Sequence, residues 1–262
     1  MSVIKSIVVK NFSKEKYYSF WLKLLNLSLN CIGFGIGGGV DKSGEIEALE
    51  YLKNNIMGDK PILFDCGANV GEYTNELLKK FPNANIHSFE PLKITYNKLL
   101  NNVKSKSAKL NNIGLSNKIG KEIIHYNEND LGLTSLFERK LDYSSHSLSD
   151  VTTVDLTTID EYCSQNNIDV IDFLKMDIEG AEYNALLGAS NMLKDSKIKA
   201  IQIEFGGCCI DAKLFFRDYW NMLSKQYYVY RIIPGGLIRI EKYEEKLEIF
   251  LTCNYLFVNK NL

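Results

Sequence analysis

The chain has 262 residues, of which 45% are hydrophobic and 24% charged, and its formal net charge is −1. These values are typical of a soluble globular protein with one large domain, or one domain with an extension. Because lysines alternate with acidic residues and the charge is balanced, the composition argues against nucleic acid as an obligate partner.

The six cysteines form no C-x-x-C pair and no Cys/His cluster with the spacing of metal ligands. The first sixteen residues are polar and charged, without the apolar core and small-residue cleavage site of a secretory signal. We therefore expect reduced cysteines and a cytoplasmic protein.

Residues 1–58 are predicted to form an N-terminal helical extension. One helix is expected at about 14–30 and a second after Ser43, a residue suited to cap it. The apolar stretch 17–40 is interrupted by Lys23 and other polar residues, so it is too polar to span a membrane. We expect an amphipathic helix packed on the main domain, with at most peripheral membrane contact.

Between these two helices, Gly33, Gly35 and Gly38 have the G-x-G-x-x-G spacing of dinucleotide sites. A nucleotide site needs a preceding strand and an acid at the end of the next one, and both are missing from the pattern here. We interpret this stretch as a flexible connector, acting as a hinge or lid over the active site.

From residue 59 onward, apolar strand-like segments alternate with helical periodicity, which predicts a doubly wound, Rossmann-like α/β domain over 59–262. Residues 114–156 interrupt the alternation, and three strand-like segments at the end predict a terminal hairpin with an antiparallel strand. The expected strands include 61–65, 85–91, 108–116, 170–177, 198–205, 227–234, 236–243 and 248–259.

The stretch 61–74 has the order of strand, tight glycine turn and helix that a cofactor site requires. Its loop reads D-x-G-x-N-x-G, in which Gly67 permits the turn and Gly71 a close approach of helix and ligand. Glu90 ends the next strand, where an acid accepts hydrogen bonds from ribose hydroxyls. Asp65 at the start of the loop repels phosphate and suits a cationic ligand such as S-adenosylmethionine.

Four segments, 64–74, 87–91, 111–120 and 173–189, together with a weaker fifth at 201–205, carry a family resemblance. Over about residues 60–205 the sequence resembles FkbM-type methyltransferases, within the class I S-adenosylmethionine-dependent superfamily. The resemblance implies a seven-stranded, mostly parallel sheet with an antiparallel last strand. It also implies O-methylation of a sugar, glycan or polyketide-type natural product, with polysaccharide modification as the default.

The same resemblance assigns residues to the two ends of the cofactor. Glu90 would hold the ribose. The residues implied at the methionine end are Asp65, Gly67, Ala68, Asn69 and Gly71.

A hydroxyl is a poor nucleophile, so a general base or a metal ion is expected at the end of the fourth strand of the domain. Asp177 is the preferred base or metal ligand, with Glu179 beside it and Lys175 on the same strand face. Asp177 and Glu204 could hold a divalent cation such as Mg²⁺, although we favour a metal-free base. Glu182 is interpreted as a carboxylate at a helix N-terminus.

The segment 114–156, which we call the insertion, offers further candidates for the general base and for acceptor recognition. His125 and His146 are alternative bases near the pocket mouth, whereas His87 is interpreted as a structural residue or one at the edge of the adenine. The segment 132–147 is predicted to recognise the acceptor. Its candidate contacts are Ser135, Arg139 and Tyr143.

Two other functions remain open from the sequence. One is an NAD-dependent oxidoreductase that uses Glu90 on the NAD ribose, which the D-x-G-x-N-x-G loop disfavours. The other is a non-catalytic nucleotide-binding module. The acceptor and the oligomeric state are left open.

Overall fold

The computed structural model describes residues 3–36, 39–40 and 42–262. Within them the strands are β1 Ile62–Cys66, β2 Asn85–Phe89, β3 Ala108–Asn111, β4 Gly114–Leu115, β5 Gly120–Tyr126, β6 Asp150–Thr157, β7 Ile171–Met176, β8 Ile198–Phe205, β9 Tyr227–Ile233, β10 Gly236–Ile240 and β11 Cys253–Asn259. The helices are α1 Val3–Phe12, α2 Tyr18–Cys31, α3 Glu45–Asn55, α4 Glu72–Lys80, α5 Lys93–Asn102, α6 Ile159–Asn166, α7 Glu182–Leu187, α8 Ser190–Lys194, α9 Cys208–Asp211 and α10 Phe216–Leu223.

Eight strands form the central sheet, in the order β10-β9-β11-β8-β7-β1-β2-β3. The pairs from β3 to β8 are parallel, and β11 lies antiparallel between β8 and β9. The predicted α/β class with a mostly parallel sheet is confirmed. The sheet has eight strands rather than seven, because β10 folds back on β9 as the second arm of a hairpin.

A small second sheet, with the order β4-β6-β5, lies beside the large one. The segment 108–116, predicted as one strand, is divided between the two sheets as β3 and β4. The break has a local cause: the Asn112 amide donates to the carbonyl oxygens of Glu90 and Pro91, at 2.9 and 2.8 Å, which turns the chain out of the large sheet.

Alternating side chains cover the two faces of the large sheet. Leu63 and Phe173 point to one face, and their neighbours Phe64 and Leu174 to the other. Both faces are therefore apolar, as expected of a parallel sheet between two helical layers. Leu49 of α3 is fully buried in the same cluster as Leu63. Helix α3 thus shares a core with β1, and the domain boundary at residue 58 stays a prediction.

The glycine-rich stretch packs against β9 at both ends. Gly33 and Gly44 each have φ of +89°, and a Cβ atom on them would lie 2.6 Å from the Ile232 oxygen and 2.0 Å from the Ile233 oxygen. These two glycines therefore serve a close backbone approach, which the prediction of a flexible connector did not anticipate. Gly38 lies outside the described residues.

The N-terminal helices differ from the prediction in three details. Helix α1 was not among the two helices expected in this segment. Helix α3 has Gly44 rather than Ser43 at its N-cap, and the Ser43 hydroxyl donates instead to the Glu45 carboxylate, at 2.7 Å. Helix α2 has no buried residue, so the expected packing on the main domain is wrong except near its end, where Leu29 touches the core. Among the described residues, no helix combines the length and apolar character needed to cross a membrane.

We expect Leu49→Ala to lower the free energy of unfolding by about 2–5 kcal/mol, because it leaves a cavity in the core that α3 shares with the sheet. Urea denaturation gives the change from the midpoint at constant slope. Lys53→Ala, on the exposed side of the same helix, is the control and should change stability by less than about 0.5 kcal/mol. An unchanged midpoint in Leu49→Ala would show that α3 is not part of this core.

Candidate active site

A cavity of about 280 Å³ lies at the carboxyl ends of β1, β2 and β7, the edge where open α/β sheets bind ligands. Its wall combines the loops after these strands with β4, the insertion and the start of α3. The lining residues are Gly39, Val40, Glu45, Gly67, Ala68, Asn69, Val70, Glu72, Tyr73, Glu90, Pro91, Gly114, Leu115, Ile124, Leu131, Gly132, Thr134, Leu136, Leu156, Lys175, Asp177, Ile178, Glu179 and Ala181.

The loop after β1 brings its backbone close to the neighbouring strand. Gly67 has φ of +81°, and a Cβ atom there would lie 1.9 Å from the Asp177 carbonyl oxygen. The amides of Gly67 and Ala68 both donate to the Phe89 oxygen at 3.0 Å, and Asn69 adopts φ of +47°. Glycine is therefore required at residue 67, and two backbone hydrogen bonds attach the loop to the end of β2.

Gly71 has a different role from the predicted one. It has φ of +96° and precedes α4 directly. A Cβ atom there would meet the Val103 and Leu99 side chains at 2.6 and 2.8 Å, so this glycine lets α4 pack closely on α5. It does not line the cavity.

Glu90 follows β2 and reaches the cavity with its carboxylate. Its two oxygens accept backbone hydrogen bonds from Leu92, at 2.9 Å, and from Asn69, at 3.1 Å. These bonds fix the orientation of a side chain that is only 6% exposed. Burial raises the pKa of Glu90 to about 7, although the two amides oppose the shift.

Asp65 lies beneath the loop rather than in the cavity wall. Its side chain is fully buried and accepts a hydrogen bond from the Thr74 hydroxyl, at 2.6 Å. Its other oxygen lies 3.8 Å from the Lys175 ammonium and has no hydrogen-bond partner. Burial raises the pKa of Asp65. The geometry suits support of Lys175 better than direct contact with a cofactor.

Lys175 is a buried cation among carboxylates. Its ammonium lies 3.2 Å from the Asp177 carboxylate and 4.7 Å above the Tyr73 ring. Burial opposes the charge, but the carboxylates of Asp177, Asp65 and Glu45 outweigh it and raise the pKa of Lys175. Lys175 therefore stays protonated and acts as a positive charge, not as a base.

Glu45 is a cavity residue that the sequence prediction missed. It begins α3, is 6% exposed, and accepts hydrogen bonds from Ser43, at 2.7 Å, and Gln202, at 2.6 Å. Burial raises the pKa of Glu45. An acid in the first turn of a helix is ordinary, so the sequence carried no signal that this one reaches a site formed by distant strands.

Glu179 links the end of β7 to the insertion. Its backbone is in the left-handed region, with φ of +51°. The Arg139 guanidinium donates to its carboxylate, and the Ser135 hydroxyl to its carbonyl oxygen, each at 2.7 Å. Burial and the Asp177 carboxylate raise the pKa of Glu179 to about 8, although Arg139 opposes the shift.

These contacts change the roles expected for the insertion. Ser135 is 1% exposed and the Arg139 side chain 7%, so both fasten the insertion to Glu179 instead of facing an acceptor. Tyr143 is 77% exposed, and it does not line the cavity either. The residues by which the insertion does line the cavity are Gly114, Leu115, Ile124, Leu131, Gly132, Thr134, Leu136 and Leu156.

Glu182 and Glu204 lie outside the cavity wall. One Glu182 oxygen accepts from the amides of Ile178, at 2.8 Å, and Gly180, at 3.4 Å, which agrees with the interpretation of Glu182 as a carboxylate at a helix start. Burial raises the pKa of Glu182 to about 7. Among the described residues, potential metal-ligand atoms of Glu179, Glu204 and Cys208 lie within 4.8 Å of one another. Glu204 is therefore grouped with Glu179, and not with Asp177 as the predicted cation site required.

The histidines do not reach the cavity. His87 is hydrogen-bonded to the Tyr162 hydroxyl at 2.8 Å, and burial with the nearby Lys109 charge lowers its pKa to about 4. His146 pairs with Asp130 at 2.5 Å on the exposed insertion. His125 is the neighbour of Ile124 on β5. Of these two residues, Ile124 lines the cavity and His125 does not. The geometry therefore gives no support to His125 or His146 as the base.

Two solved methyltransferases resemble this chain at low sequence identity and low TM-score. A TehB-like S-adenosylmethionine-dependent methyltransferase from Corynebacterium glutamicum is 12% identical, with 94% of this chain and 97% of that chain covered and a TM-score of 0.40. The plantazolicin methyltransferase BpumL in complex with SAH is 13% identical, with 98% of each chain covered and a TM-score of 0.44.

Sequence comparison gives a family. The methyltransferase sdnD of Sordaria araneosa is 30% identical over 166 residues, which cover 50% of this chain and 61% of the relative, so the match spans about three fifths of that protein. The family model described as "Methyltransferase FkbM domain" matches residues 65–231, which include the loop, Glu90 and the acids after β7. The chain therefore belongs to the FkbM methyltransferase domain family, as its motifs predicted.

Proposed function

We propose that the protein transfers a methyl group from S-adenosylmethionine to a hydroxyl oxygen of a sugar, glycan or related natural product. The observation that carries the proposal is one cavity that joins the glycine loop and Glu90 to the charged group of Lys175, Asp177 and Glu179. Family membership supports methyl transfer over the NAD-dependent alternative.

The charge of the cavity wall fits this cofactor. Five carboxylates line it, and Lys175 is the one cationic residue among the described lining residues. The lining acids are Glu45, Glu72, Glu90, Asp177 and Glu179. Such a wall repels a pyrophosphate and attracts a ligand that carries a sulfonium and an amino group. An S-adenosylmethionine molecule therefore fits better than a dinucleotide.

Each part of the wall has a role in this proposal. Glu90, oriented by two amides, would accept hydrogen bonds from the ribose hydroxyls. The backbone of Gly67 and Asn69 would hold the methionine end, with Glu45 available for its amino group. When bound, the cofactor supplies an electrophilic methyl carbon, and the protein supplies alignment and removal of a proton.

Asp177 is the proposed proton acceptor. Its side chain is 38% exposed toward the cavity, and one carboxylate oxygen has no partner among the described residues. Glu179 is less suited, because its carboxylate is 15% exposed and bound to Arg139. Lys175, which stays charged beside Asp177, would stabilise negative charge as the hydroxyl loses its proton.

Binding of S-adenosylhomocysteine, measured by isothermal titration calorimetry, should weaken about fivefold between pH 8 and pH 6, because an ionised carboxylate accepts stronger hydrogen bonds. Glu90, with a pKa of about 7, is ionised at the higher pH and protonated at the lower. Glu90→Gln should bind about tenfold more weakly at pH 8 and lose most of this pH dependence.

Glu76→Gln is the control, because Glu76 pairs with Lys79 outside the cavity. Its affinity and pH dependence should equal those of the wild type. No heat of binding with the wild-type protein would contradict the cofactor assignment, and an unchanged pH dependence in Glu90→Gln would contradict the role of Glu90.

Asp177→Asn should lower turnover by about 10²–10⁴-fold, because general-base catalysis contributes that much, and should leave cofactor affinity within about tenfold. The measurement is transfer of a labelled methyl group to sugars, nucleotide sugars and hydroxylated natural products, with the product identified as a methyl ether. Asp169→Asn, an exposed acid before β7, is the control. Turnover of Asp177→Asn near the wild-type level would contradict Asp177 as the general base, and Glu179 would then be the next candidate.

A divalent cation stays a prediction that we do not favour. With Asp177 as a metal-free base, EDTA should leave the transfer rate unchanged. A loss of activity that Mg²⁺ or Mn²⁺ restores would overturn that preference. In that case the group of Glu179, Glu204 and Cys208 is where ligand substitutions should first be made.

A further inference from the structure

The two N-terminal helices expose apolar side chains that nothing in the structure covers. From residue 5 to residue 32, no residue is buried. Of the 22 large hydrophobic residues exposed in the described chain, eleven lie in this segment. They are Ile7, Val9, Phe12, Tyr18, Phe20, Trp21, Leu22, Leu24, Leu25, Leu27 and Ile32. An apolar surface of this density in water requires a partner.

Helix α2 has the pattern of a helix at an interface between water and an apolar phase. Ser19, Lys23, Asn26 and Asn30 recur at helical spacing and form one narrow polar stripe. The rest of the surface is almost entirely apolar and includes Trp21. A helix packed on its own protein would bury that broad face, but here only Leu29 contacts the core.

The charge of the segment indicates the partner. Residues 1–32 contain five lysines and one acid, a net charge of +4, whereas the whole chain has −1. The lysines are Lys5, Lys10, Lys14, Lys16 and Lys23. Lysine side chains next to a broad apolar face are complementary to a membrane surface that contains anionic lipids, where each contributes about 1 kcal/mol.

Helix α2 has 14 residues and is about 21 Å long, so it is too short to cross a bilayer. It can lie in the headgroup region with its polar stripe toward water. Its C-terminal end is fixed to the body, since Gly35 donates to the Thr252 oxygen at 2.8 Å. Phe34, 1% exposed, packs under the Arg231 guanidinium at 4.0 Å. A membrane-bound helix would therefore hold the whole protein.

We propose that residues 5–32 bind the protein peripherally to membranes that contain anionic lipids, through the apolar surface of α1 and α2 and their lysines. This inference does not depend on the methyl-transfer activity.

The test is co-sedimentation of the 262-residue chain with vesicles of phosphatidylcholine, or of an equimolar mixture with phosphatidylglycerol, at about 0.1 M salt. We expect binding to the anionic vesicles, at least about tenfold weaker binding to the neutral ones, and release at about 1 M salt. Failure of the wild-type protein to bind anionic vesicles would overturn the proposal.

A matched pair of variants locates the surface. Phe20, Leu24 and Leu27 lie on one side of α2 and are 59%, 42% and 60% exposed. Changing all three to Ser should weaken vesicle binding by at least about tenfold, because buried apolar area drives interfacial binding. The control changes to Ser three residues of the insertion that are at least as exposed, two in the small sheet and one in the turn before β5, and should bind as the wild type does. These control residues are Ile119, Ile123 and Val151, with exposures of 64%, 53% and 61%.

Two further measurements separate the possible outcomes. In a Trp220→Phe background, the fluorescence of Trp21 should shift to shorter wavelength with anionic vesicles, and no shift would contradict the proposal. Light scattering after size exclusion tests the other occupant of this surface, a second copy of the chain. If the wild type forms a dimer and binds no vesicles, and if the triple Ser variant of α2 is a monomer, then this surface binds a second copy of the chain and the membrane proposal is wrong. Unchanged binding of S-adenosylhomocysteine by the triple Ser variant of α2 would show that its α/β domain is still folded.

Discussion

The candidate site depends on the buried ammonium of Lys175. It lies in the middle of the large sheet, where it is paired with Asp177 and faces Asp65 on the adjacent strand. Without this charge, the buried carboxylate of Asp65 would have no cation near it, which is costly in a protein interior. Through Asp65 and Thr74, the ammonium also connects β7 to the first turn of α4, directly behind the glycine loop. One cation thus supports the cavity floor and the side chain proposed as base.

The remaining acids explain the selectivity that we assign to the cavity. Burial raises the pKa values of Glu90 and Glu179 to about 7 and 8, so their charge near neutral pH depends on what occupies the cavity. A cationic ligand favours the ionised forms, whereas a phosphate would face carboxylates on several sides. Glu179 has a second role, because its ion pair with Arg139 and its bond to Ser135 fasten the insertion over the site. Specificity for an acceptor would then reside in the insertion's other side chains.

The N-terminal segment has two parts: helix α3 is packed in the core, whereas residues 5–32 are mostly exposed. Helix α3 contributes Leu49 to the sheet's apolar layer and Glu45 to the cavity. Residues 5–32 contribute nothing to that core beyond the end of α2 and keep an apolar, lysine-rich surface. Gly33 and Gly44 join the two parts, because only glycine permits the approach of the chain to the β9 carbonyls. The glycine spacing that resembled a dinucleotide motif is explained in part by this packing.

The sequence by itself determined the α/β class, because that class depends on local patterns of strand, turn and helix. From the same patterns it predicted a site at the glycine loop, Glu90 and the acids after β7, and residues of all three line one cavity. It also determined the family. Tertiary structure decided which of the candidates share a cavity: it left His125 and His146 outside the cavity wall, buried Asp65, placed Gly71 against α5 and added Glu45. It also decided that Ser135 and Arg139 anchor the insertion. The reason is physical, since a side chain's neighbours across a sheet come from residues far apart in the chain, and local periodicity carries no information about their distance.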